Sequence, residues 1–281
     1  MENFSLFSGQ KSESVENTNS LFLCQELFLP KLKIILCDKL LLGDEIMEFK
    51  RIILKLSGEV LAGKTKHGID FERTLEIARE VKECINLGYE IGIVVGGGNF
   101  WRGKNNEYMD RATSDYIGMM GTVMNALALG DAFKQIDVPV RVQTGVEMRQ
   151  VAEFYIKDRA IRHLSKGRVV IFGCGTGSPF FSTDTASSLR AAEVNADVLI
   201  KATKVDGIYD KDPKKYKTAV KYDEISYIDV LNKELHIMDS TAISLCMEEN
   251  IPILVFDINK KGNLAKIIKG EAVGTLVRNK N

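Results

Sequence analysis

The sequence predicts an α/β protein whose mostly parallel sheet is covered by helices on both faces. Three observations carry that prediction. Apolar runs of strand length, such as IILKL from Ile52 and VVIF from Val169, recur along the chain. They are near-continuous, as in strands buried on both faces. The segments between them place apolar residues at helical spacing and open on capping residues. Four of the runs end in loops suited to phosphate, as strands do at the carboxyl edge of an open α/β sheet.

The first 46 residues read differently from the rest. Residues 1–20 are polar and aperiodic. Residues 21–42 are leucine-rich but broken by Glu26, Pro30, Lys31, Lys33, Asp38 and Lys39, too often for a membrane helix or a signal-peptide core. A basic amphipathic anchor is the alternative there. Residues 43–47 are encodable by a ribosome-binding sequence followed by a start codon. The sequence is therefore read as an N-terminal extension over 1–46, disordered or upstream of the true start, and one domain over 47–281.

From Met47 the pattern is regular. Strands are predicted over 51–56, 90–95, 140–143, 169–172, 198–202 and 253–256. Asp70 caps a helix over 71–87 with Leu75, Ile77, Ala78, Val81 and Ile85 on one face, and Gly88 ends it. A long helix is expected over 113–133, where Met119, Met120 and Met124 read as core filler rather than ligands. Helical segments should run up to residue 165. A further helix follows Ser182 to Thr185 and reaches 195, and another covers 239–250. Asp210-Lys211-Asp212-Pro213 is a turn, Ser226 with Asp229 resembles a capping box, and a last helix and short strand close the chain.

Lys+Arg and Asp+Glu are equal at 38 each, so the chain lacks the basic field of a nucleic-acid binder. Cys24, Cys37, Cys84, Cys174 and Cys246 are odd in number and contain no C-x-x-C pair. That argues against a disulfide framework or zinc site and for a reducing compartment. No apolar run approaches the ~20 residues of a membrane span. The expectation is a soluble cytoplasmic protein with neither nucleic acid nor membrane as partner.

The four loops are Lys55-Leu56-Ser57-Gly58, Gly96-Gly97-Gly98-Asn99, the stretch from Gly173 to Ser178, and the stretch from Thr203 to Gly207. In the third, a strand runs into Gly173, Gly175 and Gly177. Pro179 stiffens the exit, and Ser182, Thr183, Asp184 and Thr185 gather at a helix start, where amides and the helix dipole favour an anion. Four such loops point to two phosphorylated ligands facing each other, the requirement of phosphoryl transfer. Lys55 would then reach the transferred group, Arg102 would grip a second phosphate bidentately, and Asp115 would accept from ribose hydroxyls. Taken singly, each has a plainer reading as a capped turn, a solvated lysine or a first-turn carboxylate.

One motif points elsewhere. The run from Gly58 to Thr65, GEVLAGKT, satisfies the P-loop pattern, and Ile253 to Asp257 would pass for its acidic strand. A P-loop helix begins at the Lys-Ser/Thr, however, and here Gly68 and the cap Asp70 intervene, so this reading is set aside.

The motifs LKLSGE from Leu54, GGGNFWRG from Gly96, GTGSPFFSTDTA from Gly175 and KATKVDGIYDKDP from Lys201 occur in one order. They resemble the bacterial UMP kinases, a family of the amino-acid kinase superfamily, over the chain from about Met47 onward. The resemblance implies a three-layer αβα sandwich with a mostly parallel central sheet, and transfer of the ATP γ-phosphoryl group to UMP with Mg²⁺ carried by ATP. It also implies a homohexamer activated by GTP and inhibited by UTP. By the same resemblance Lys55, Leu56, Ser57 and Gly58 are the ATP phosphate loop, with Gly98, Arg102, Thr203, Tyr209 and Asp212 on the ATP side. Gly97, Asp115, Thr176, Gly177, Ser178, Pro179, Phe180, Phe181, Ser182 and Thr183 fall to UMP. Asp184 takes the place of the carboxylate that orients the catalytic lysines, Lys55 and, as a second, Lys204. Gly63, Lys64, Thr65, Lys66, His67 and Gly68 form the GTP segment. Ser178 stands where Asn is usual and Ser182 where Thr is common; both keep their hydrogen-bonding capacity.

Two other functions stay open on the sequence. A nucleotide-binding storage or sensor protein would share the fold, but Lys55, Arg102, Asp115 and Asp184 together argue for turnover. An amino-acid or carbamate kinase would leave Arg102 and Asp115 without an obvious role, because those acceptors lack phosphate and ribose.

Overall fold

The computed structural model describes residues 39–42, 45–103 and 108–279, with side chains from Phe49 onward. Most of the expected N-terminal extension lies outside the described residues. Within it, Lys39–Leu42 (β1) pairs antiparallel with Glu45–Glu48 (β2), so the expected boundary at Met47 falls inside a hairpin strand.

Nine strands form the central sheet. Their order is Glu224–Ser226 (β11), Thr275–Arg278 (β13), Ile253–Asp257 (β12), Val198–Thr203 (β8), Arg51–Leu56 (β3), Glu90–Val95 (β4), Val169–Gly173 (β7), Val140–Thr144 (β5) and Glu153–Phe154 (β6). Every neighbouring pair is parallel except β12 and β13. Ile208–Tyr209 (β9) and Lys221–Tyr222 (β10) make a separate two-stranded ribbon.

The sheet is buried on both faces because its central strands are near-continuous apolar runs. In β3, Ile52, Leu54 and Leu56 pack into one core with helices Phe71–Asn86 (α2), Arg111–Gln135 (α3) and Asn263–Ile268 (α8). Ile53 points the other way, into a core shared with Lys157–Leu164 (α4), Thr183–Glu193 (α5), Tyr227–Asn232 (α6) and Ser240–Glu248 (α7). Each fully buried Ile or Leu contributes about 1.5–3 kcal/mol, and this two-sided burial yields the three layers expected. A one-turn helix, Gly58–Leu61 (α1), follows β3 directly where only a glycine turn was expected.

The helix starts follow their caps. Asp70 accepts from the Arg73 amide at 3.1 Å, so α2 begins at Phe71 and the lysine of the P-loop pattern, Lys64, lies in an exposed turn. Asp110 accepts from the Thr113 amide at 2.9 Å and starts α3 two residues earlier than expected. Two expectations are corrected. Residues 145–165 are not uniformly helical: the Tyr155 amide donates to the Thr144 carbonyl at 3.0 Å, and this long-range pairing makes 153–154 the edge strand β6 before α4 begins. Of the three methionines, Met119 is buried, but Met120 and Met124 are exposed. A helix that is apolar on all sides can turn only one side to the sheet. Among the described cysteines, Cys84, Cys174 and Cys246 are free and buried. No helix of the described residues is long and apolar enough to cross a membrane.

Candidate active site

The four loops singled out in the sequence follow β8, β3, β4 and β7, which are four adjacent strands of the sheet. Parallel pairing puts their carboxyl ends on one edge, so the loops form one continuous rim.

Two lysines rise beneath it. Lys55 and Lys201 are register partners on β3 and β8. Each lies two residues beyond a core residue, Ile53 or Leu199, of the α5 side, so period two sends both side chains to that face. Asp184, the second residue of α5, meets them there. Lys55 Nζ lies 2.9 Å from Asp184 Oδ1, and Lys201 Nζ donates to Oδ2 at 2.9 Å. All three side chains are largely buried, at 11%, 11% and 19% exposure. Lys201 also donates to the Ile237 carbonyl. Burial alone would raise the Asp184 pKa, but the two ammonium groups outweigh it and hold the carboxyl below its ordinary range. Burial pushes the Lys201 ammonium below the usual lysine range, with Lys55 adding to the effect and Asp184 opposing it.

Lys201 was absent from the sequence-derived site. Lys204, named there as the second lysine, is placed elsewhere: it is about half exposed and pairs with Glu59 at 2.8 Å. Arg102 pairs with the other oxygen of the same carboxylate. The signal for Lys201 was available, since a lysine interrupts the otherwise apolar run VLIKA of a central strand.

The segment 176–183 closes one side of the rim. Thr176 Oγ1 donates to the Ser178 carbonyl at 3.1 Å, and the Phe180 amide donates to Asp115 Oδ2 at 2.8 Å, joining this loop to α3. Phe180 takes a φ of 72°, and its ring, like that of Phe181, is exposed. Ser182 Oγ caps α5, accepting from the amides of Asp184 and Thr185 at 2.9 and 3.2 Å. Asp239 holds this cap from below. It accepts from Ser182 Oγ and, at 2.8 Å, from Thr185 Oγ1, while capping α7 through the Ala242 amide at 2.9 Å.

The other side is the loop after β8. Thr203 Oγ1 donates to the Val205 carbonyl at 2.7 Å, Tyr209 donates to Asp206 at 2.7 Å, and Asp212 accepts from the Lys214 amide at 2.9 Å. In the rim between, Gly97 presses on α3: a Cβ there would stand 2.5 Å from the Gly118 carbonyl oxygen. A Cβ on Gly98 would meet nothing within 4 Å. Packing therefore requires glycine at 97 and not at 98. Residues 63–68 form an exposed turn whose Gly68 amide donates to the Asn99 carbonyl at 3.2 Å, beside the same loop.

Both oxygens of Asp184 face ammonium groups, and the described residues contain no group of three acidic, His or Cys side chains fit to hold a metal. The two ammonium groups make the site suited to an anionic group such as a phosphate.

The comparisons agree with this architecture. The model of the Amino acid kinase family matches residues 50–257. The UMP kinase of Bacillus anthracis is 40% identical with a TM-score of 0.80, over 83% of this chain and 97% of that one. The UMP kinase of Ureaplasma parvum is 33% identical with a TM-score of 0.78, over 83% of this chain and 100% of that one. The aspartate kinase of Synechocystis, 20% identical over 82% of this chain and 40% of that one, has a TM-score of 0.63 and shares the fold. The chain belongs to the amino acid kinase family, in the branch of the bacterial UMP kinases.

Proposed function

We propose that the protein transfers the γ-phosphoryl group of Mg²⁺-ATP to UMP, giving UDP and ADP. The observation that carries this reading is the Lys55–Asp184–Lys201 cluster under a rim of four phosphate-suited loops. An oxygen of the UMP phosphate attacks the γ-phosphorus, the bond to the bridging oxygen breaks, and the electron pair leaves with ADP. The acceptor phosphate has its second pKa near 6 and is mostly ionised at neutral pH, so no general base is needed. Asp184, held anionic by two ammonium groups, fits the role of orienting Lys55 and Lys201 rather than removing a proton. The lysines meet the charge on the equatorial oxygens of the transition state, where fixed cations act most strongly.

On this reading the loop after β8, with Thr203, Tyr209 and Asp212, takes adenosine, and Gly98 and Arg102 take ATP phosphates. Segment 176–183, Gly97 and Asp115 take UMP. Arg102 and Lys204 exchange Glu59 for phosphate when ligand enters. GTP acts on residues 63–68, which touch the triple-glycine loop, and UTP competes at the acceptor site. Ile117, Met120, Met124 and Leu127 form an exposed apolar stripe at helical spacing along α3, the kind of face a homo-oligomer, here a hexamer, covers. The setting is the cytoplasm and pyrimidine nucleotide synthesis. The test is ADP release with UMP, CMP, glutamate, aspartate or carbamate as acceptor. UMP should give the highest kcat/KM, and turnover of only a phosphate-free acceptor would overturn the proposal.

A further inference from the structure

Three loops and a helix of the site meet at one buried amide pair. Asn99 and Asn125 are 1% and 0% exposed. Asn99 Nδ2 donates to Asn125 Oδ1 at 2.9 Å, and Asn125 Nδ2 donates back to Asn99 Oδ1 at 2.7 Å. The second N–H of each amide goes to backbone: Asn125 to the Gly96 carbonyl at 2.7 Å, Asn99 to the Gly68 carbonyl at 2.6 Å. All four side-chain N–H groups are therefore used. Gly58 passes so close that a Cβ there would stand 2.2 Å from Asn99 Oδ1 and 2.9 Å from Asn125 Nδ2. Apolar residues would fill this space without the desolvation cost of two amides. What the amides add is a directional tie between residues 63–68, the triple-glycine loop, Gly58 and α3. Displacing Gly68 must break its bond to Asn99 or drag the pair, and the pair is in van der Waals contact with both phosphate loops.

We propose that Asn99 and Asn125 are positioning residues for the donor-phosphate loops, and the joint through which an anionic ligand on residues 63–68 acts on them. The second half rests on the reading of that segment as the GTP site; the first half does not. Lys64, Lys66 and His67 of the segment are exposed and present cationic or ring groups to such a ligand. A ligand that holds the segment in this arrangement also holds Gly96 and Gly58 in theirs.

The test uses the full chain and the near-isosteric Asn125→Asp and Asn99→Asp, each of which removes the side-chain N–H donors at its position. KM for ATP and for UMP, kcat and the melting temperature are measured with and without GTP. Both variants should raise KM for ATP tenfold or more, with a clearly smaller rise in KM for UMP, which Gly97 of the same loop serves. GTP should lose its effect in Asn99→Asp. If either variant fails to fold, Gly68→Ala strains the segment at its φ of 70° while leaving both asparagines in place, and should weaken ATP binding and the GTP response together. A lowered melting temperature with both KM values unchanged would show a merely structural pair and overturn the proposal. A wild-type enzyme indifferent to GTP would instead sink the effector reading of residues 63–68, leaving the KM split to judge the positioning role.

Discussion

Replacing Lys201 tests the site most directly, because Lys204, three residues away, is its natural control. Lys201→Met keeps the aliphatic stem and deletes the ammonium. Two unit charges 4 Å apart interact by about 4 kcal/mol at an effective dielectric near 20. A transition state that shifts half to one unit of charge toward this ammonium therefore loses about 2–4 kcal/mol, or about 30- to 1000-fold in kcat. The Lys201 side chain is 11% exposed, so solvent screening takes little from that figure. Lys204 is 54% exposed and pairs with Glu59, so Lys204→Met should cost only a few-fold, most of it in KM for ATP. Lys201→Met also leaves the Ile237 carbonyl without its donor, at about 1–3 kcal/mol of stability, partly offset because a charge is no longer buried. ADP release should be followed at saturating ATP and UMP, with circular-dichroism melts to keep every variant below its transition. If Lys201→Met stays within threefold of wild type while Lys204→Met falls a hundredfold, the assignment of the second lysine is wrong.

The remaining predictions concern each substrate in turn and the pH profile. Asp115→Ala should raise KM for UMP far more than KM for ATP, by about 1.5–3 kcal/mol, the worth of a hydrogen bond to a charged group; equal weakening in steady-state kinetics would refute the ribose role. Gly98→Ala should fold normally, since its Cβ meets nothing, yet raise KM for ATP if a ligand fills that space, and an unchanged KM would remove Gly98 from the site. Since burial lowers the Lys201 pKa, kcat should fall as pH rises through that lowered value, at a less alkaline pH than for a free lysine. Lys201→Arg, whose guanidinium stays charged, should move that alkaline limb upward, even at a lower maximum rate.

Local chemistry carried much of this protein into its sequence. Near-continuous apolar runs located β3, β4 and β7 because a strand buried on both faces needs apolar residues at most of its positions. Asp70, Ser182 and Ser226 marked helix starts because a capping side chain reaches an amide only two or three residues on. The four loops were legible as anion-binding chemistry for the same local reason, whereas the role of Asp184 came from the family resemblance. Tertiary structure decided what depends on distant neighbours. Edge strand β6 exists through its pairing with β5, which no local pattern encodes. Lys201 and Lys204 look alike in the text KATK. Lys201 is still in strand, in register with Lys55 and facing α5, whereas Lys204 has left the strand and turned to Glu59. Asn99 and Asn125, 26 positions apart, became partners only when α3 packed beneath the triple-glycine loop. Residue type and spacing set which groups were available, and strand register with helix packing selected those brought within 3 Å of one another.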